Sequence, residues 1–370
     1  MWWRWALRSA GSISWAGLLN SYFWVDPVRK VAGTLFTQIL PFCDPRVVDL
    51  YGQFEQGLYT AYTTPERRSA IGTHLSMQGE TAMYAITGIT GKVGGALART
   101  LLAAGQPVRA VVRDASRARS WAERGCEVVT ADMDDAASLT AAFEGTQGVF
   151  ILPPSEFDPS PEFPEARAVI DAVRGALLSA APGKVVCLST IGAQATETNL
   201  LTQRTLMEQA LRDLPMPVAF LRPGWFMENA AWDVAPARDK GMIPSFLQPL
   251  DKAVPMVATA DVGRVAAQLL LQTWRGVRVV ELEGPQRVSP NDLAEAFAQV
   301  LGRPVGAEVV PRETWDALFR SQGMKEPLPR VRMLDGFNEG WIAFEGEDAD
   351  IVKGEVALEA VLRDLVSQNG

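Results

Sequence analysis

The chain has 370 residues, and with 48% hydrophobic and 21% charged residues it can bury a substantial globular core. Its formal net charge of −8 argues against a general binder of nucleic acid or anionic membranes. The three cysteines, Cys43, Cys126 and Cys187, lie far apart, and their spacing forms no metal-ligand or redox pair. We therefore expect a reduced, cytoplasmic protein without a metal site.

Residues 1–82 form an N-terminal extension whose composition differs from the rest of the chain. Five of the eleven tryptophans fall within its first 24 positions, at Trp2, Trp3, Trp5, Trp15 and Trp24. The apolar run from Ser9 to Val25 lacks a clear cleavage site and is marginal in length for a membrane helix, so we expect no integral span. Prolines and polar residues at 41–45 and 63–65 predict short helical pieces after it.

Two interpretations of this extension stay open. It is either a helical appendage, with its tryptophans at an interface such as a membrane surface, or the product of a start codon assigned too far upstream. In the second case Met77 or Met83 would be the natural first residue. A start at Met83 would place the first strand of the next domain at the N-terminus.

The segment from Met83 to Asp114 has the pattern strand, glycine turn, helix, strand. Its glycines would let backbone amides approach a pyrophosphate, and the N-terminus of the following helix would stabilise the same anion. Because the turn follows a strand and opens a helix, the context is that of a dinucleotide site. The candidate cofactor-binding residues in the turn are Gly88, Thr90, Gly91, Lys92, Val93 and Gly94.

The residue that ends the second strand selects the cofactor in such sites. An acid there binds a free ribose 2′-hydroxyl, whereas an arginine accommodates a 2′-phosphate. Here it is Arg113, with Arg117 one helical turn further on and Lys92 in the glycine turn. We expect NADP(H) to be preferred, with NAD(H) possible. The alternative is that Arg113 is only a solvated strand end, and Asp114 is expected to cap the next helix.

Strands and helices alternate from Met83 to Leu221, which predicts an α/β fold with a Rossmann-type, doubly wound parallel sheet. Residues at the carboxyl ends of the strands are expected to line the cofactor, and Asp132 is placed to meet the adenine amino group. Further candidates in this group are Leu152, Pro153 and Ser189.

The chain after residue 83 is expected to divide into a mainly Rossmann core, 83–221, and a mainly substrate-binding lobe, 222–370. The proline-broken stretch from Ile243 to Val257 is long enough to act as a lid. Asp261 is expected to cap the helix Val262–Leu271. A strand at Val277–Leu282 and helices from Pro290, Arg312 and Ala357 complete a smaller, mostly helical lobe.

The α/β domain lacks the usual acid/base side chains. The single histidine, His74, lies before the glycine turn, and the last of the five tyrosines is Tyr84. This excludes the Tyr-x-x-x-Lys pair of typical short-chain dehydrogenases and a histidine acid/base in this domain. No catalytic residue is assigned.

Three motifs together resemble the NmrA-like family of atypical short-chain dehydrogenases: the glycine turn Thr87–Gly94, the strand end Val112–Asp114, and the stretch Arg222–Asn229, RPGWFMEN. The resemblance implies a Rossmann domain, a smaller helical lobe and a substrate cleft between them. It also implies one of two activities, because members include NAD(P)H-dependent quinone, azo-dye and triphenylmethane-dye reductases as well as non-catalytic NADP(H) sensors. Several relatives carry Lys or His in the helix after strand five, whereas Thr202–Glu208 has neither.

The missing acid favours one class of acceptor. Hydride transfer needs the donor carbon about 3–3.5 Å from an electron-poor atom, and an unactivated ketone also needs an acid. Quinones, azo groups and dye cations need much less help. We therefore expect an NAD(P)H-dependent oxidoreductase acting on a quinone-like, azo or similar electron-poor acceptor, and the alternative is a non-catalytic, redox-sensing regulatory protein that binds NADP(H).

The acceptor is expected to lie against the loops after strands five and six, and a planar ring could stack there. For Trp225 and Asn229 the alternative is a purely structural role in the loop, and Arg222 is expected to fix the turn by bonding carbonyls. A small-molecule acceptor is the expected partner, and a homodimer is one possible assembly. The tentative substrate residues are Thr190, Trp225, Phe226, Glu228 and Asn229.

Overall fold

The computed structural model describes residues 8–17, 21–35, 44–63 and 82–368. The chain forms two compact units, which divide between Thr81 and Ala82. Predictions that concern Trp2, Trp3, Trp5, Cys43, His74 and Met77 fall outside the described residues.

The first unit contains an antiparallel sheet of three strands and one helix. The strands β1 (Ile13–Gly17), β2 (Ser21–Asp26) and β3 (Val31–Leu35) pair in chain order. The helix α1 spans Pro45–Thr63. Their core is aromatic and consists of Tyr22, Trp24, Val31, Val47, Tyr51 and Tyr59.

The strands of this unit differ from the helical appendage that one interpretation of the extension expected. Tyr22, Trp24 and Asp26 are buried while Val25 is exposed, so the stretch has the period of two that marks a strand with one buried face. Gly33 makes room for this packing, because a Cβ there would lie 2.1 Å from the Trp24 indole. Pro45 and Thr63, which we expected to break helices, instead lie at the two ends of a single 19-residue helix.

The second unit is built on an eight-stranded sheet in the order β15-β13-β9-β8-β7-β4-β5-β6. Every neighbouring pair is parallel. The strands are β4 (Tyr84–Thr87), β5 (Val108–Val112), β6 (Glu127–Thr130), β7 (Gly148–Ile151), β8 (Val185–Leu188), β9 (Val218–Pro223), β13 (Val277–Glu283) and β15 (Val352–Lys353).

Helices cover both faces of this sheet. On one face lie α2 (Lys92–Ala103) and α8 (Thr259–Leu271), and on the other lie α4 (Ala136–Phe143), α5 (Pro164–Ala180) and α6 (Thr202–Leu211). The short helix α3 (Arg119–Ala122) precedes β6. The predicted Rossmann-type, doubly wound fold is confirmed. The chain order reverses between β4 and β7, which is where such sheets form a ligand crevice.

Further small elements make up the rest of the second unit, around an apolar core separate from the two that flank the sheet. Its helices are α7 (Val234–Lys240), α9 (Pro290–Leu301), α10 (Trp315–Ser321), α11 (Leu328–Glu339) and α12 (Leu358–Gln368). Its strands are β10 (Trp225–Phe226), β11 (Met242–Ser245), β12 (Met256–Val257) and β14 (Gly306–Val309). β10 pairs with β12, and β11 pairs with β14.

Two expectations in this region are wrong. The stretch 243–257 is not a free lid, because it contains residues of β11 and β12 and buries Ile243 and Val254. Asp261 does not cap a helix that starts at Val262, since α8 already begins at Thr259. The buried Asp261 carboxylate instead accepts N–H bonds from Glu355 and Val356, both at 2.9 Å.

Within the described ranges, no helix combines the length and the apolar character needed to cross a membrane.

Helices α2 and α8 touch through Gly263. A Cβ at this position would lie 2.5 Å from the Cβ of Ala96 and 2.6 Å from the backbone nitrogen of Leu97. We expect Gly263→Ala to lower the free energy of unfolding by about 1–3 kcal/mol, because the helices must separate. Thermal unfolding followed by circular dichroism measures this.

Gly175→Ala in α5 is the matched control, because a Cβ there meets only the Cβ of Ala136 at 3.8 Å. It should leave stability unchanged or raise it slightly, since alanine favours a helix over glycine. Equal loss in both variants would contradict the proposed close approach of α2 and α8.

Candidate functional site

The glycine turn follows β4 at the reversal point of the sheet. Gly88 has a φ of +67°, which favours glycine, and its carbonyl accepts the N–H of Gly91 at 3.0 Å. A Cβ on Gly94 would lie 2.3 Å from the Gly88 carbonyl oxygen, so that position has no room for a side chain. Gly91 is the N-cap of α2 and makes no side-chain cap bond. The first N–H groups of α2 can therefore bind an anion.

The other predicted residues of the turn differ in exposure. Thr90 and Lys92 are exposed, and the Lys92 ammonium has no ion pair or hydrogen bond with any residue that the structure describes. The side chain of Val93 is buried in the core beneath α2, so only its backbone can face a ligand. The turn thus offers backbone amides and one exposed cation.

A hydroxyl group joins the turn to the neighbouring strand β7. The Thr87 hydroxyl donates to the carbonyl of Phe150 at 3.1 Å and accepts the N–H of Leu152 at 2.7 Å. The Leu152 side chain closes over the turn, because it lies 3.2 Å from the Cβ position of Gly88. Leu152 and the buried Pro153 therefore lie beside the glycine turn. Thr87 was missed by the sequence reasoning, although it is the last residue of β4.

Arg113 follows β5 and is exposed, with no ion pair or hydrogen bond to any described residue. The adjacent Asp114 is engaged elsewhere, because its carboxylate accepts the N–H of Ser116 at 2.9 Å and caps the short 3₁₀ helix Ala115–Ala118. The side-chain and backbone hydrogen bonds from Ser116 lower the pKa of Asp114. The expected cap is confirmed, and the Arg113 guanidinium stays available to a ligand.

Asp132 follows β6, two strands away from β4, which corresponds to about 10 Å across the sheet. It is exposed, and one carboxylate oxygen accepts the N–H of Met133 at 2.8 Å. The second oxygen makes no hydrogen bond to a described residue. The glycine turn, Arg113 and Asp132 thus lie along the edge of the sheet formed by the carboxyl ends of its strands, in the order β4, β5, β6.

Ser189 follows β8 and is tied to a buried ion pair. Its hydroxyl donates to Glu208 at 2.5 Å, and Glu208 pairs with Arg222 at 2.7 Å. Arg222 also pairs with Glu345 at 2.8 Å and donates to the side-chain amide oxygen of Gln194 at 3.2 Å. Its partners are therefore mainly carboxylates and not the carbonyls alone that we expected. Thr190, next along the chain, is half-buried.

The apolar wall, Trp225–Met227, connects two cores. The Trp225 ring meets the edge of Phe337 with centroids 5.2 Å apart, whereas Phe226 packs on the core beneath α2 and α8. Met227 is buried.

The two polar residues after the wall have different surroundings. Both carboxylate oxygens of Glu228 accept the N–H of Thr259, at 2.9 and 3.0 Å, and so bind the first residue of α8. Asn229 is exposed, and its side-chain amide makes no hydrogen bond to a described residue. Of this pair, only Asn229 presents unused polar atoms.

Arg204 in the first turn of α6 is a cation that the sequence reasoning missed. It donates to the carbonyls of Pro153 at 3.0 Å and Pro154 at 3.2 Å, and to the Ser155 hydroxyl at 2.6 Å. It forms no ion pair with a described carboxylate. Burial lowers its pKa to about 10, so the guanidinium stays charged at neutral pH. The family resemblance implies Lys or His in this helix, and this chain has an arginine there instead.

Asp233 is a second group that the sequence reasoning missed. It follows the 3₁₀ helix Met227–Trp232, is half-buried, and makes no ion pair or hydrogen bond through its carboxylate with the described residues. Burial raises its pKa to about 7. No local pattern signals this shift, because it arises from tertiary packing.

Across the described part of the chain, no group of three or more His, Cys, Asp or Glu side chains is arranged to hold a metal ion.

The fold and the glycine turn define a Rossmann-type protein with a dinucleotide-binding geometry. The sequence profile of the NmrA-like family matches residues 80–339, and the chain belongs to that family. The resemblance predicted from the motifs is thus confirmed.

Several known proteins similar to this chain are reductases. The chain is 30% identical over 260 residues to the NAD(P)H azoreductase of Xenophilus azovorans, covering 70% of this chain and 85% of the relative. Among solved structures, the NADPH-dependent quinone oxidoreductase of Escherichia coli in complex with NADPH matches with a TM-score of 0.64 and 23% identity, over 78% of this chain and 99% of that one.

A second solved structure is the triphenylmethane reductase of Citrobacter sp. in complex with NADP(H). It matches with a TM-score of 0.63 and 21% identity, over 77% of this chain and 99% of that chain. At these identities the two solved structures establish the fold of the second unit.

The pKa of Asp233 makes stability depend on pH. The folded protein keeps a proton that the unfolded chain, with an ordinary value of 3.8, has already released. The stability from this group is complete below about pH 4 and is lost as pH rises through 7. Asp233→Asn cannot ionise, so it should be more stable than the parent at pH 8, by about 1–2 kcal/mol after allowance for solvent screening, and equal to it near pH 4.

Unfolding midpoints at the two pH values measure the effect. Asp239→Asn on the same helix is the control, because Asp239 is exposed and paired with Arg238 at 2.9 Å. An unchanged pH dependence in Asp233→Asn would show that this carboxyl group titrates normally.

Proposed function

We propose that the protein is an NADPH-dependent reductase that transfers hydride to a quinone-like, azo or similar electron-poor acceptor. The observation that carries the proposal is the carboxyl edge of the sheet, where a glycine turn and an unpaired Arg113 lie on neighbouring strands. The relatives named azoreductase and quinone oxidoreductase support the same class.

The cofactor fits the residues along this edge. The N-terminus of α2 would hold the pyrophosphate, and Arg113 would pair with the 2′-phosphate of the adenosine ribose. Asp132 would accept the adenine amino group. The other half of the cofactor would lie against Leu152, Pro153 and Ser189. Bound in this way, NADPH supplies the hydride.

The acceptor end has cationic and apolar groups but few acids. Trp225 and Phe226 would contact a planar acceptor, with Thr190 and Asn229 as polar neighbours. Glu228 would act indirectly, by holding the wall against α8. The sequence has no tyrosine after Tyr84 and no histidine after His74, so an acceptor that delocalises its own charge is favoured.

Arg204 would stabilise negative charge that develops on the acceptor. Three hydrogen bonds fix it at the end of β7, and a guanidinium has five N–H donors, so two stay free. A preoriented charge in a partly dehydrated site stabilises a forming anion strongly.

The central experiment is NADPH oxidation, followed optically, with a panel of quinones, azo dyes and triphenylmethane dye cations. We expect turnover with at least one of these classes and none with simple ketones or sugars, which need a catalytic acid. NADPH binding without oxidation by any acceptor would instead favour the alternative, a cofactor-sensing protein without catalysis.

The choice of cofactor is tested by Arg113→Asp. This variant should weaken NADPH binding at least about tenfold, because a charged hydrogen bond is lost and a like charge is added. NADH has no 2′-phosphate, so its binding should stay the same or improve. Dissociation constants from fluorescence titration measure both.

Arg119→Asp is the matched control, because Arg119 is an exposed arginine in the following helix and lies away from the strand end. It should bind both cofactors like the parent protein. A loss of the same size for NADPH and NADH in Arg113→Asp would mean that Arg113 does not contact the 2′-phosphate.

A further inference from the structure

Arg330 in α11 is a charged side chain without a counter-ion. Its guanidinium carbon lies 4.3 Å from the centroid of the Phe319 ring, and the guanidinium makes no hydrogen bond or ion pair with any residue in the described ranges. It is half-buried, and this burial lowers its pKa.

Neighbouring arginines in the same region do have carboxylate partners. Arg312 pairs with Asp335 at 2.6 Å, and Arg332 lies 3.7 Å from the same carboxylate. Arg320 pairs with Asp316 at 2.9 Å. The region therefore neutralises the arginines around Arg330 and leaves that one cation partly dehydrated and unpaired, a state that an incoming anion would relieve.

The position of Arg330 relates it to the apolar wall. It lies two helical turns before Phe337, on the same face of α11. Phe337 is the residue whose ring meets Trp225. The face of α11 that bears Arg330 is therefore the face that meets the wall.

Two backbone contacts fix the start of α11 beside the sheet edge. The carbonyl of Pro329 accepts the N–H of Leu200, one helical turn before Arg204. In the loop after β7, the Asp158 carboxylate accepts the N–H groups of Lys325 at 2.8 Å and Glu326 at 2.7 Å. Arg330 is thereby held between the loop after β7 and the start of α6, the two segments that also position Arg204.

We propose that Arg330 binds an oxyanion group of the acceptor, so that the site prefers acceptors that carry a sulfonate, carboxylate or phosphate. The inference rests on the proposed reductase function and specifies its substrate class. The Phe319 ring covers one face of the guanidinium, which leaves the N–H groups at its edge free. This planar set of donors matches an oxyanion in a bidentate manner.

The test compares 1,2-naphthoquinone with 1,2-naphthoquinone-4-sulfonate as acceptors for the full-length protein and for Arg330→Gln. KM for the sulfonated quinone should rise about tenfold or more, as expected for loss of a charged hydrogen bond. KM for the unsulfonated quinone and for NADPH should stay within twofold. For each quinone, the KM of the variant is divided by the KM of the parent protein. The difference in redox potential between the two quinones cancels in this ratio.

Arg332→Gln is the matched control on the same helix, because Arg332 stacks on Trp341 and lies near Asp335. For both quinones, the KM of Arg332→Gln should equal that of the parent protein. Binding of naphthalene-1-sulfonate to the NADP⁺-loaded protein, measured by calorimetry, gives a readout that does not need turnover. It should weaken in Arg330→Gln and persist in Arg332→Gln.

Equal KM changes for the two quinones, or an increased KM for NADPH, would overturn the inference. The first result would make Arg330 structural, and the second would place it on the cofactor. The proposed function fails in a different way, since no acceptor would then be reduced. In that case the naphthalene-sulfonate measurement still decides whether Arg330 binds an anion, and unchanged binding in Arg330→Gln would overturn the inference on its own.

Discussion

The ion pair between Arg222 and Glu208 is the interaction on which the carboxyl edge of the sheet depends. Both side chains are buried, at 1% and 3% exposure, and a buried charge is tolerated only with a well-placed partner. Through this pair β9 holds α6, and through the hydroxyl of Ser189 it also holds the end of β8. Glu345 joins from the C-terminal part of the chain. The first turn of α6, with Arg204, is positioned as a consequence.

Much of the Rossmann architecture could be predicted because its signals are local. The predicted order of strand, glycine turn, helix and strand between Met83 and Asp114 is seen in the structure as β4, α2 and β5, since apolar periodicity and the glycines lie within that segment. The partners of Arg222 could not be predicted in the same way, because Glu345 lies 123 residues away. The strand β2 was missed for a different reason: its alternation was hidden in a stretch that is apolar on average.

The two ends of the candidate site also differ in how far the local sequence predicts them. At the proposed cofactor end, the roles assigned to Gly88, Gly94 and Arg113 follow from their positions next to strands β4 and β5, so a sequence pattern can reveal them. At the proposed acceptor end, Arg204 and Arg330 belong to separate elements, and their properties come from burial. A charged side chain becomes reactive or selective when tertiary packing removes its water or its counter-ion. A sequence motif does not indicate that change.

The Thr87 hydroxyl, which bridges β4 and β7, has a consequence for the crevice between them. Because it satisfies one carbonyl and one N–H across the reversal point, the two strand ends are held at a fixed separation before any ligand arrives. A ligand entering there meets a preformed surface and loses little free energy to ordering the protein backbone. The Thr87 side chain thus fixes the distance between the ends of β4 and β7, and with it the width of the crevice.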